Sequence, residues 1–99
     1  MITNLIVATV TAYCHCKTCC GPKAKGITAN GSKPTQGITI AASRSLPFGT
    51  MIHIPSVGWR KVEDRLAKRF DKRVDIYFTK HKDAKKFGIR RETIQIVTK

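Results

Sequence analysis

Apolar residues along this chain gather in short runs, most of them with the two-residue period of extended backbone. Residues 3 to 13, TNLIVATVTAY, are rich in β-branched side chains, with Leu5, Val7 and Thr9 on one face and Ile6, Ala8 and Val10 on the other. Both faces are largely apolar, so the pattern predicts a strand buried on both sides. ITIAA (38 to 42), TMIHI (50 to 54), WRKVED (59 to 64), RVDIYF (73 to 78) and ETIQIVT (92 to 98) read as five more strands. Pro47, Gly49, Pro55 and Gly58 supply turns between them. TKHKDAKKFG (79 to 88) reads as helix: Thr79 is placed to cap it, Ala84 and Phe87 share a face, and Gly88 stands where a left-handed residue ends a helix. Six strands with one or two short helices predict a mainly β fold. Closure into a small barrel removes the exposed edges such strands would otherwise leave.

The segment from Cys14 to Gly37 breaks this pattern. It is polar and punctuated by Gly21-Pro22, Asn30-Gly31 and Lys33-Pro34, which predicts a long loop, and long loops in small domains are commonly functional or disordered. It opens with CHCKTCC, which places Cys14, Cys16, Cys19 and Cys20 within seven residues. Cys16 and Cys19 have the spacing of one zinc knuckle, but no second knuckle follows. A disulfide joining Cys14 or Cys16 to Cys19 or Cys20 is favoured in an oxidising space, and free thiols in the cytosol. His15 neighbours the thiols, yet adjacent residues of an extended segment point to opposite faces, which argues against a Cys–His catalytic pair there.

Charge narrows the class of partner. The 99 residues suit one domain, and 41% apolar content suits a globular one. Nineteen Lys and Arg against six Asp and Glu give a net charge of +13, which predicts attraction to polyanions: nucleic acid, anionic membrane or the acidic polymers of a cell wall. No run reaches the ~18 apolar residues of a membrane span, and the first strand has no basic leader in front of it. Two origins fit: a chain made in the cytosol and released by another route, such as phage lysis, or a domain cut from a longer protein.

The scarce acids are concentrated. VEDRLAKRFDKRVDIYF (62 to 78) holds Glu63, Asp64, Asp71 and Asp75, four of the six. Strand parity sends Val74, Ile76 and Phe78 to the core and Arg73, Asp75 and Tyr77 to the other face. Residue types alone favour an ordinary surface ion pair between Asp75 and a cation such as Arg73. Asp71 reads as a turn residue and Asp83 as a complement to the helix dipole.

Taken in order, TAYC (11 to 14), GITANG (26 to 31), PTQGITIAAS (34 to 43), LPFGTMIHI (46 to 54), VEDR (62 to 65), RVDIYF (73 to 78) and DAKKFG (83 to 88) resemble the 3D, or three-aspartate, domain family. The resemblance runs through nearly the whole chain and includes the eleven-residue interval from Asp64 to Asp75. It implies a single six-stranded double-psi β-barrel, related to MltA-type lytic transglycosylases and to stationary-phase survival proteins. It also implies cleavage of the β-1,4 bond between N-acetylmuramic acid and N-acetylglucosamine in peptidoglycan. Carried onto matching positions, Asp75 would be the general acid/base and Asp64 its supporting carboxylate. The chain departs from the family where Ser43 stands in place of the first aspartate, and where Leu66-Ala67 replaces a frequent Gly-Gly pair.

Tyr13 and Thr28, in family-like segments, together with Ser43 and Tyr77, are the candidate substrate contacts. Trp59 is a second candidate for stacking on sugar rings, although a lone tryptophan commonly belongs to the core. His53 reads as structural and His81 as solvated. The expected partner is the glycan strand of peptidoglycan, met at the bacterial cell wall or in the periplasm by a monomer that needs no cofactor. Two other classes compete: a non-catalytic, expansin-like wall-binding barrel, and a basic nucleic-acid-binding protein. The second of these lacks any recognised reading motif or interleaved aromatics.

Overall fold

A computed structural model describes residues 2–14, 31, 33–43, 45–65 and 73–98, with backbone only at residues 2, 3 and 98. The six expected strands are present: β1 (Ile2–Tyr13), β2 (Thr39–Ala42), β3 (Met51–Ile54), β4 (Gly58–Arg65), β5 (Arg73–Tyr77) and β6 (Arg90–Thr98). They close into a barrel in the order β1-β5-β2-β4-β3-β6, and a short helix, α1 (His81–Phe87), lies between β5 and β6. The β1–β5 and β2–β4 pairs are parallel and the other four antiparallel. Only β3 and β4 are neighbours in both sequence and space, the mixed, crossed-over order that a double-psi barrel requires.

The interior is filled by alternate residues of every strand. Val10, Ile40, Ile52, Ile54, Val62, Val74, Ile76, Ile94 and Ile96 form one cluster with Ala8 and Ala42. Their branching at Cβ favours extended backbone, and removing each such side chain from water contributes roughly 1.5–3 kcal/mol. Phe78 and Phe87 close the cluster near α1, with ring centroids 5.7 Å apart. The turn joining β3 to β4 needs a positive φ at Gly58 (+91°), in open space where only the backbone conformation demands glycine. Ser56 ties this turn to β6, its N–H and hydroxyl donating to the Glu92 carboxylate at 2.9 and 2.7 Å.

Two expectations fail for identifiable reasons. β1 is not buried on both sides: Leu5, Ile6 and Val7 are 70%, 45% and 60% exposed. Residues 2–10 pair with β6, but β5 joins only from Thr9 onward, so the first half of β1 extends beyond the doubly paired wall. Ile6 has the parity of Ala8 and Val10 and still faces solvent there. Beside it runs an apolar cleft of about 800 Å³, bounded also by Ser43, Leu46 and Arg73.

Thr79 does not cap α1. Lys80 occupies the N-cap position without a side-chain hydrogen bond, because the Thr79 N–H and hydroxyl both donate to Gln36 Oε1. The seven-residue helix is held by packing instead: Ala84 is buried and Phe87 lies on Phe78. Asp83 does fall in its first turn, and Gly88 ends it with φ +72° and an N–H donated to the Ala84 carbonyl.

Candidate active site

Three adjacent strands and a shift in their register assemble the site. β5 lies between β1 and β2, and Thr11, Asp75 and Ala41 stand opposite one another across them. One row further along, Tyr13 stands opposite Tyr77. Since Ile40, Ala42, Val74 and Ile76 fill the core, alternation turns Ala41, Asp75 and Tyr77 outward.

Asp64 reaches the same face by a different route. Counting along β4 from buried Val62 would send Asp64 into the core. Between β2 and β4, however, Ile40 pairs with Val62 and Ala41 with Asp64, so Glu63 is an extra residue. Such a bulge reverses the facing of every residue after it and re-aims side chains beside functional sites. Glu63 is itself held in place: Thr39 Oγ1 donates to Oε1 at 2.7 Å, and Lys61 Nζ lies 3.7 Å from Oε2. This acid, unassigned from the sequence, fixes the shift that presents Asp64.

Each aspartate accepts a hydroxyl from β1. Thr11 Oγ1 donates to Asp75 Oδ1 at 2.8 Å, and Tyr13 Oη, two residues on along the same face, donates to Asp64 Oδ2 at 2.8 Å. The Arg65 N–H binds the other Asp64 oxygen at 2.9 Å. The two carboxyls therefore differ in setting. Burial pushes the Asp75 carboxyl up from the usual aspartate value to about 6; the Thr11 hydrogen bond and the Arg73 charge oppose the rise, and the Asp64 charge adds to it. Asp75 opens on a pocket of about 330 Å³ whose wall includes Arg73, Lys85 and Ile89.

The other candidates divide. Tyr13 and Tyr77 are buried, pack edge-to-face with centroids 5.5 Å apart and form a small cluster with Ala41. Tyr13 supports Asp64 through its hydroxyl, and each of the two tyrosines is 7% exposed. Trp59 is half-exposed, packed edge-to-face on His53, and is not part of the buried core. Ser43 borders the apolar cleft, outside the pocket of Asp75, with its hydroxyl 3.0 Å from that of Ser45. Its carbonyl accepts from Arg65, the residue after Asp64, at 3.3 Å.

Thr28, Cys16, Cys19 and Cys20 lie outside the described residues, as does Asp71. Cys14 is buried, and its Sγ stands 3.6 Å from Nδ1 of His81, which is exposed at the start of α1 as expected. Among the described residues no three metal-ligating side chains gather. No described helix is long and apolar enough to cross a membrane.

Thr11, Lys85 and the Cys14–His81 contact were absent from the sequence reading. Thr11 alone left a signal there, since it shares strand parity with Tyr13. A scan against protein-family models and a search of curated proteins found no match for the chain.

Proposed function

We propose that this barrel is a peptidoglycan lytic transglycosylase with Asp75 as general acid/base and Asp64 as its supporting carboxylate. The observation that carries the reading is the Asp75 carboxyl, raised by burial to about 6 and open to a pocket while a second carboxylate is held nearby. A group with that pKa is part protonated and part ionised near neutrality, which suits a residue that must both give and take a proton.

Thr11 occupies Oδ1, which leaves Oδ2 to carry the proton toward the substrate. That proton passes to the glycosidic oxygen as the bond to C1 of the muramic acid breaks. The C6 hydroxyl of the same sugar then attacks C1, and its proton returns to the Asp75 carboxylate, closing a 1,6-anhydro ring. No water is consumed, so one acid/base carboxyl suffices where hydrolases need two at a set separation. Asp64, acceptor of two hydrogen bonds, favours the protonated form of Asp75 by its charge. Arg73 and Lys85 line the pocket and give a complementary setting for an anionic glycan, and the +13 net charge favours approach to an acidic wall.

The test is digestion of purified sacculi with mass spectrometry of the soluble products. Anhydro-muropeptides that disappear in a folded Asp75→Asn variant support the reading. Retention on sacculi from several bacteria with no product would replace it with a wall-binding barrel. Salt-sensitive DNA binding without affinity for sacculi would replace it with a nucleic-acid-binding protein.

A further inference from the structure

The apolar cleft beside the overhanging half of β1 has no part in the proposed chemistry, yet it adjoins the site. Arg73 lines both the cleft and the pocket of Asp75, so its side chain is a wall common to the two. The register explains why. Thr11 stands opposite Asp75 and Thr9 opposite Arg73, while Val7 and Leu5, which border the cleft, follow on the same strand. They lie four and six residues before Thr11, about 13–20 Å along extended backbone. The cleft holds about 800 Å³, within the range of about 300–1,000 Å³ typical of small-ligand sites. Ile6, Val7 and Leu46 make it apolar, and Ser43 and Ser45 add hydroxyls. Among the described residues that line it, Arg73 is the one charged group.

Resting on the transglycosylase reading, we propose that the cleft receives the peptide stem carried by the same muramic acid whose glycosidic bond Asp75 opens. That stem is a short chain of small residues with free carboxylates, attached to the reacting sugar itself. An extended chain advances about 3.3–3.6 Å per residue, so about four to six residues cover the stretch from Thr11 to Val7 or Leu5. Ile6 and Val7 are 45% and 60% exposed, and apolar side chains of the stem would take the place of water on them. The Ser43 and Ser45 hydroxyls and the Asn4 amide stand at the same cleft as hydrogen-bond partners for peptide groups. Arg73 sets the sign of the ligand: its charge favours a carboxylate passing from the pocket into the cleft and opposes a basic peptide. The substrate is therefore peptide-bearing glycan rather than bare glycan.

Product release is measured on sacculi and on the same glycan stripped of its stems by an amidase. Peptide-bearing strands should be cleaved about tenfold faster or more, the equivalent of one apolar side chain leaving water. Ile6→Asp, at an exposed position where the fold should persist by circular dichroism, should bring that ratio down toward one. Separately, isotope-labelled protein is titrated with the free stem peptide and followed by nuclear magnetic resonance. The amide signals of Ile6, Val7, Ser45 and Leu46 should move, and should stay in place when the Ile6→Asp protein is titrated. Equal rates on the two substrates overturn the proposal. So does a titration that leaves those amides unmoved, or movement with protein concentration alone, which would give the cleft to a second copy of the chain. Absence of anhydro products from both substrates defeats the transglycosylase reading alone, because the titration still decides whether the cleft takes the peptide.

Discussion

The two halves of β1 are both rich in β-branched residues and have opposite fates. From Thr9 to Tyr13 the strand has β6 or β5 and the helix region about it, buries Val10 and presents Thr11 and Tyr13 to the two aspartates. From Ile2 to Ala8 it has β6 alone, and Leu5, Ile6 and Val7 face solvent. Neither β-branching nor alternation differs between them. What differs is β5, which pairs with β1 only from Thr9 onward, and with it the burial that raises Asp75.

The largest effect expected from breaking that burial is chemical. Asp75→Asn should lower the rate of anhydro-muropeptide formation by about 10²–10⁴-fold, read from product release on sacculi.

The same variant sharpens the comparison through stability. The folded chain holds the Asp75 proton more tightly than an unfolded aspartate does, since its pKa lies near 6. The stability this contributes is complete below about pH 4 and lost as pH rises through about 6. Asp75→Asn, which has no charge to bury, should therefore exceed the parent in stability at pH 8 by up to ~3 kcal/mol, with the difference gone at pH 4. Denaturant melts at the two pH values measure it, and an equal effect at both would refute the burial of the carboxylate.

Smaller effects follow along the strand itself. Val10→Ala, at a position paired with both β5 and β6, should cost about 2 kcal/mol. The alkaline limb of the activity profile, where the Asp75 proton is lost, should move upward in Thr11→Val, which removes a hydrogen bond to the ionised Asp75, and downward in Asp64→Asn, which removes the neighbouring charge. Arg73 and Lys85 remain in both variants, so opposite movement of the two profiles isolates β1 and β4. Val7→Ala, in the overhang, should change stability by less than about 0.5 kcal/mol. A Val7→Ala cost equal to that of Val10→Ala would erase the distinction between the halves.

Much of the fold was legible because each strand carried its own evidence. Val74, Ile76 and Phe78 alternate as a wall that is wet on one side, and the glycines and prolines marked the turns. The overhang was not legible, since Leu5 and Val10 look alike until the number of neighbouring strands is known. Asp75 could be placed on the outer face from parity alone, whereas Asp64 could not, because the shift at Glu63 exists only in the pairing with β2. The burial of Tyr13 and Tyr77 depends on two strands meeting. Thr79 was a sound cap by residue type, but its N–H and hydroxyl are taken by Gln36, 43 positions away, and Lys80 stands at the N-cap.

The extra residue in β4 has a further consequence. Side-chain facing along a strand behaves as a binary phase, and Glu63 is the point at which β4 inverts it. Deleting that single residue would leave Val62 and Asp64 adjacent and one-to-one with Ile40 and Ala41, so Asp64 would still face outward and only the anchoring of Glu63 by Thr39 and Lys61 would be lost. The residue count of β2 relative to β4 is what sets the facing: one residue added between Ile40 and Ala41 would give Glu63 a partner, make the pairing one-to-one and turn the Asp64 carboxylate into the aliphatic interior beside Val62.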